Sequence, residues 1–221
     1  NLAGKMGVQA LSLKYREKPL VQTASDRENK TNEDIIGEKI TPHSPVDGEV
    51  ISATEKAVEI KDKSGRKHLV NLYNNYIIGS KTFLHNEPVV AKGDKVKAGQ
   101  LLADTNYTKD GVLAMGTNLK TIYVPYKGLT FEDGIVVSES AAQRLTSQHM
   151  YRFDLPVDAL VSLNKDKWLA YFANKIDPSQ TDKLESSGVI KPGTPVTKGD
   201  FLVAAMRLSE VSPEDAMLGK L

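Results

Sequence analysis

Two stretches of the chain repeat one another at a fixed distance. Val90-x-x-Gly93-x-x-Val96-x-x-Gly99-x-x-Leu102 returns as Ile190-x-x-Gly193-x-x-Val196-x-x-Gly199-x-x-Leu202, offset by 100 residues at every position. Each copy spells apolar, tight turn, apolar, tight turn, apolar. Glycine admits positive φ at such corners and branched apolar residues fill a narrow interior, so the pattern suits a small barrel whose sheet folds back sharply. The period is too long, and the copies too few, for a solenoid. Two related barrel-sandwich modules are therefore expected, the alternative being a coincidence of common turn residues.

The rest of the chain is also rich in β signals. Gly48–Ala53 and Ala57–Lys61 alternate apolar with polar residues, as half-buried strands do. His68–Leu72, Thr121–Tyr126 and Gly134–Ser138 are further strand candidates, with turn dipeptides such as Asp47-Gly48, Ser64-Gly65 and Lys127-Gly128 between the runs. Helix signals are fewer: Ser138–Leu145 opens on a capping serine, Asp166–Lys175 has a wide apolar face, and Ser179–Leu184 follows Pro178. Residues 22–39 are polar and acidic and read as a long surface loop.

Composition narrows the function classes. Of 221 residues, 40% are hydrophobic, enough for a packed core and too many for wholesale disorder. The absence of Cys excludes disulfide frameworks, thiolate metal sites and Cys nucleophiles. No run approaches the roughly 18 apolar residues of a membrane span. The chain opens at Asn1 with neither Met nor a signal segment, so it reads as cut from something longer. Its net charge of +1 hides a basic middle: residues 61–127 carry 11 basic and 5 acidic groups. Such a stretch suits nucleic-acid phosphates, but Lys61, Lys63, Arg66 and Lys67 equally suit a solvated hairpin tip.

Few constellations carry chemistry by themselves. His43, His68, His85 and His149 are scattered without metal-ligand spacing, and there is no P-loop, G-x-G-x-x-G or G-x-S-x-G. Glu132-Asp133 stands at a turn entering the Ile135-Val136-Val137 run, where both carboxylates can reach one polar pocket and suit a hard, partly hydrated cation such as Mg²⁺. The alternative is a solvated turn. Thr54–Ile60 is similar to the lysine-bearing hairpin of lipoyl and biotinyl carrier domains, with Lys56 as the modified residue. Lys56, however, lies 37 residues before Gly93, more than a compact carrier accommodates.

Taken together, ordered phrases resemble the β subunit of bacterial-type multisubunit DNA-directed RNA polymerase. Ala3-Gly-Lys-Met6-Gly-Val-Gln9-Ala10-Leu is similar to G-A-N-M-Q-R-Q-A-V, and Lys18-Pro-Leu-Val21 stands at K-P-L-V. Asn86-Glu-Pro-Val and Gly99-Gln-Leu-Leu-Ala-Asp104 match G-E-P-V…G-D-V-L-A-D. Leu113-Ala-Met-Gly116-Thr-Asn118 and Val124-Pro125-Tyr126-Lys-Gly128 follow L-A-L-G-Q-N and M-P-W-N-G. Phe131-Glu132-Asp133-Gly-Ile-Val-Val-Ser138-Glu139 matches F-E-D-S-I-L-V-S-E, ungapped. Leu184-Glu-Ser-Ser-Gly188-Val-Ile and Lys198-Gly199-Asp200-Phe-Leu-Val resemble L-D-E-S-G-I-V and G-G-D-I-L-V. The chain departs at Lys5, Gly7-Val8, Tyr126 and Leu129-Thr130, divergence that suits a phage-encoded or otherwise remote polymerase.

The resemblance implies a mainly β fold with a few short helices. Residues 1–44 and 105–150 would form part of a double-psi barrel in the hybrid-binding region, 45–104 an inserted barrel-sandwich hybrid module, and 151–221 the start of the flap. It implies a share in nucleotidyl transfer, with Glu132 and Asp133 approaching the second, NTP-borne Mg²⁺ while the partner β′ subunit holds the first. Gln9, Lys14 and Lys18 would meet the RNA–DNA hybrid, and Met217 and Leu218 on a short flap-tip helix would dock a sigma-like initiation factor. The implied partners are β′, the remainder of β, template DNA, nascent RNA and NTPs, without a membrane; the implied setting is the cytoplasm of a bacterium or phage-infected cell.

Overall fold

The glycine corners of the repeat determine where the main sheet closes. The computed structural model describes residues 10–26, 29–79, 81–158, 160–172 and 175–207. It divides into two units, Asn1–Arg152 and Phe153–Leu221. The expected mainly β fold with a few short helices is observed: the strands form small antiparallel sheets.

In the first unit, β1 (Gly48–Ala53), β2 (Ala57–Asp62) and β3 (Lys67–Asn71) form an antiparallel meander. Gly93 and Gly99, at φ +96° and +81°, turn the chain so that Lys95–Val96 pairs with the outer edge of β1, giving the order β3-β2-β1 and then that strand. The intervening strands are β4 (Tyr76–Ile77), β5 (Phe83–Leu84) and β6 (Asn86–Pro88), so the Lys95–Val96 strand is β7. Alternation along β2 points Val58 and Ile60 inward, both fully buried, and Glu59 and Lys61 outward. They pack with Val50, Leu72, Val96, Leu102 and Ala103. Full burial of each larger side chain contributes about 1.5–3 kcal/mol.

Beyond β7, β8 (Ala103–Thr105) pairs with β6, and β9 (Thr108–Lys109) makes a hairpin with β10 (Val112–Leu113). Asp104 organises that hairpin from within: its carboxylate accepts from the Asp110 and Gly111 amides and the Thr108 hydroxyl at 2.8, 2.9 and 2.8 Å.

Residues 22–39 are not wholly the expected loop, because α1 spans Asn32–Ile40. Its start is a capping box: the Asp34 amide donates to Thr31 Oγ1 at 3.1 Å, and the Thr31 amide donates to the Asp34 carboxylate at 2.8 Å. The polar composition obscured this because α1 buries little apolar surface and docks through backbone approach instead. A Cβ placed on Gly37 would lie 2.0 Å from the Gly111 carbonyl oxygen.

Two strand expectations also need correction. Thr121–Tyr126 and Gly134–Ser138 pair with no strand among the described residues. Ile122, Tyr123 and Ile135 are 80%, 96% and 83% exposed. Strand-forming composition expresses fitness for a half-buried pleated surface, and these segments lack the covering surface here. The helix expected after Ser138 is α2 (Glu139–Arg144), with the Ser138 hydroxyl accepting the Ala141 amide.

The second unit holds β11 (Val161–Leu163), α3 (Lys165–Phe172), a 3-10 turn (Pro178–Thr181) and β12 (Ala205–Arg207), with β11 and β12 paired. Trp168 is its centre, with ring centroids 5.3 Å from Phe172 and 5.1 Å from Phe201, beside Leu184 and Ala204. The sequence repeat is a repeat of structure. Gly193 and Gly199 also have positive φ, at +83° and +101°. The turn bonds Asp94 N–H to Ala91 O and Gln100 N–H to Lys97 O recur as Thr194 N–H to Lys191 O and Asp200 N–H to Thr197 O. Pairing and covering differ: Val96 lies in β7 of the main sheet and is 3% exposed, whereas Val196 pairs with no described strand and is 51% exposed.

Gly37→Ala should lower the stability of the 221-residue chain by about 1–3 kcal/mol, because backbone rather than a movable side chain occupies the space. Gly99→Ala, with open space but positive φ, should cost about 1 kcal/mol. Urea denaturation of the two variants checks the order.

Candidate functional site

Glu17 is the junction of three segments. The Asn118 amide and side-chain Nδ2 each donate to Glu17 Oε2 at 3.0 Å, while Arg144 in α2 pairs with Glu17 Oε1. Asn118 Nδ2 also donates to the Lys18 carbonyl at 2.9 Å, and the Leu20 amide donates to Asn118 Oδ1 at 3.2 Å. Backbone bonds continue the stitching: Glu17 N–H to Gly116 O, Lys14 N–H to Thr146 O, and Gln148 N–H to Ser12 O. The two Asn118 donors, with Arg144 behind them, push the Glu17 carboxyl down to about 2. Both ends of the 119–138 segment are thereby held against residues 12–20.

That segment carries Glu132 and Asp133 on the second of two successive reverse turns. The first, Tyr126–Leu129, is closed by Leu129 N–H to Tyr126 O at 2.8 Å, with Lys127 and Gly128 both at positive φ. The second, Phe131–Gly134, is closed by Gly134 N–H to Phe131 O at 3.0 Å, with Glu132 at φ +53°. Gly134 is required there, because a Cβ would stand 2.6 Å from the Leu129 carbonyl oxygen. Both carboxylates are exposed, and neither has a hydrogen-bond or ion-pair partner among the described residues. Two free carboxylates supply hard oxygen donors suited to a hydrated divalent ion. No group of three or more metal-binding side chains occurs among the described residues.

The other expected residues fall as follows. Lys14 is exposed with its ammonium 5.2 Å from the Tyr15 ring centroid, and Lys18 pairs with Asp110 at 3.0 Å. Both lie on the stretch stitched to Gly116–Asn118. Lys56 is exposed at the β1–β2 connection, which the Thr54 hydroxyl organises by accepting from the Lys56 and Ala57 amides. Lys61, Lys63, Arg66 and Lys67 surround an exposed β2–β3 tip. There Asp62 accepts from Ser64 Oγ, His68 Nε2 and the Arg66 amide, and these donors hold its carboxyl well below the usual range. Gln9, Met217 and Leu218 lie outside the described residues. Sequence reasoning missed Glu17, Asn118 and Arg144, which hold the ends of the 119–138 segment. The visible signal was that Glu17 immediately precedes the Lys18-Pro-Leu-Val phrase and Asn118 ends the Leu113–Asn118 one.

Comparison with known proteins places this chain in a family. Residues 44–219 match the family model described as RNA polymerase Rpb2, domain 6. The chain belongs to that family. Among its relatives are the proteins named DNA-directed RNA polymerase subunit beta from Phaeodactylum tricornutum, 29% identical over 98% of this chain, and from Fusobacterium nucleatum, 30% identical over 91%. The Synechococcus elongatus protein of the same name is 29% identical over 98%. The chain spans 16%, 17% and 20% of these three relatives, respectively. The recognition made from the ordered phrases stands, and nothing supports the carrier alternative at Lys56. Among the described residues no helix is long and apolar enough to cross a membrane.

Because the folded Glu17 carboxyl titrates near 2 rather than its ordinary 4.5, its contribution is present above pH about 4.5 and fades as pH falls toward 2. Glu17→Gln should therefore flatten the acid limb of a melting-temperature–pH profile and lower stability at pH 7. Superimposable profiles would remove Glu17 from this role.

Proposed function

We propose that this chain is a portion of a DNA-directed RNA polymerase β subunit that contributes to the nucleotidyl-transfer centre and to RNA–DNA hybrid binding. The observation that carries the reading is the run of ordered β-subunit phrases over nearly the whole chain. It is joined by the presentation of its Glu-Asp pair on a built, unpartnered turn. In the reaction the RNA 3′ hydroxyl attacks the α-phosphate of an NTP, forming a phosphodiester bond and releasing pyrophosphate. Bound Mg²⁺ supplies neutralisation of the developing charge, one ion held by the β′ subunit and one arriving with the NTP as part of the substrate.

On this reading Glu132 and Asp133 orient the hydration shell around the triphosphate and the basic groups beside it. Gln9, Lys14 and Lys18 meet the hybrid backbone, which is recognised by charge and shape rather than base edges. The resemblance makes residues 1–44 and 105–150 part of a double-psi barrel, and the exposed apolar side chains of 119–137 support a surface completed by the remainder of β: Ile122, Tyr123, Phe131 and Ile135 need a covering that this chain's described residues do not provide. Residues 151–221 belong to the flap, where Met217 and Leu218 dock a sigma-like factor. The β′ subunit, template DNA and nascent RNA are the remaining partners, and the setting is cytoplasmic.

Replacing Glu132 and Asp133 together with Ala in the whole enzyme should leave assembly intact and slow nucleotide addition, most visibly at low NTP or low Mg²⁺. An NTP and Mg²⁺ titration of elongation checks this, and an unchanged titration would return the pair to a solvated turn. The purified 221-residue chain should incorporate no nucleotide, as measured by primer extension on an RNA–DNA scaffold.

A further inference from the structure

We propose that Thr130 is the positioning residue for the Glu132–Asp133 pair. This deepens the reading just given and rests on it. Thr130 sits between the two reverse turns and ties the base of the first. Its Oγ1 donates to the Val124 carbonyl at 2.7 Å and accepts the Tyr126 amide at 2.9 Å. Within 122–137 it is the only described residue whose side chain makes a hydrogen bond. The carboxylates have no partners of their own among the described residues, so the backbone of 131–134 sets the place and the Cα–Cβ direction from which they reach out. That backbone holds Glu132 at φ +53°, a conformation that side chains with a Cβ adopt only at a cost. The second turn's own closure is the Gly134 N–H to Phe131 O bond. The Thr130 hydroxyl closes the stem of the first turn, and Gly134, whose Cβ would stand 2.6 Å from the Leu129 carbonyl oxygen, seats the second turn against that stem, so the closure of the first turn carries over to the aim of the second.

The hydrogen bonds are exposed, so water can satisfy Val124 and Tyr126 when the hydroxyl is removed. Thr130→Val, nearly isosteric, should therefore leave the chain assembled and alter only the turn's aim. Positioning differs from plain structural support in its dependence on the groups positioned. The experiment uses the assembled polymerase elongating a preformed RNA–DNA scaffold, with the apparent KM for NTP measured across a Mg²⁺ series. The variants are Thr130→Val, Thr130→Ser, Glu132→Ala with Asp133→Ala, and the triple combination.

Thr130→Val should raise the KM by about three- to tenfold at limiting Mg²⁺, with kcat little changed, and Thr130→Ser should stay within about twofold of the unaltered enzyme. The triple variant should be no worse than the double carboxylate variant. An additional full loss in the triple variant would overturn the proposal, as would failure of Thr130→Val to assemble where Thr130→Ser assembles, since either makes the hydroxyl structural. A silent Thr130→Val beside an impaired double variant would overturn the positioning role and leave the carboxylate reading standing. A silent double variant would overturn both.

Discussion

Glu17 holds the frame on which the candidate site hangs. One carboxylate receives two hydrogen bonds from Asn118, 101 residues away in sequence, and pairs with Arg144, 127 away. Those partners flank the 119–138 segment, so a loop of some twenty residues is closed at both ends by a single side chain. The closure matters because the segment buries little of its own apolar surface. It cannot be held by a core, and polar bonds at its ends together with the Thr130 bonds near its tip fix its course. The low Glu17 carboxyl follows from the same geometry: the amide and guanidinium donors that position the loop also favour the ionised form.

Much of the architecture was legible because it depends on local chemistry. The four repeat glycines adopt the positive φ that their spacing implied, and the same turn bonds recur 100 residues apart. The β1–β2–β3 alternation, the Ser138 cap and the helix around Trp168 also followed from pattern. What failed depended on surroundings. α1 was hidden because Thr31-x-x-Asp34 is a quieter signal than the acidic composition around it, and because its docking relies on Gly37 lying against Gly111 rather than on an apolar stripe. Thr121–Tyr126 and Gly134–Ser138 have strand composition without strand partners. Sequence reports what a segment can pair with in a complete structure, and these two segments lie unpaired among the described residues.

The same split applies to the site. The Glu132-Asp133 turn was visible from Gly134 and the run that follows, yet the groups that hold it are ordinary residues, Thr130, Asn118 and Glu17, whose value comes only from distance. The second copy of the repeat keeps its turns without the covering that buries the first. Unpaired strand-like segments and uncovered apolar corners both fit a chain that spans a fifth or less of the polymerase β subunits it matches. The proposed remainder of β is the natural covering surface.

The central claim is that the Glu132–Asp133 turn faces the triphosphate in the assembled enzyme. A structure of that polymerase on an RNA–DNA scaffold with Mg²⁺ and a non-hydrolysable NTP tests it most directly. The account predicts at least one of the two carboxylates about 4–5 Å from the triphosphate-bound ion, the distance spanned by one coordinated water. A turn directed to bulk solvent, or buried against protein with no path to the nucleotide, would contradict it.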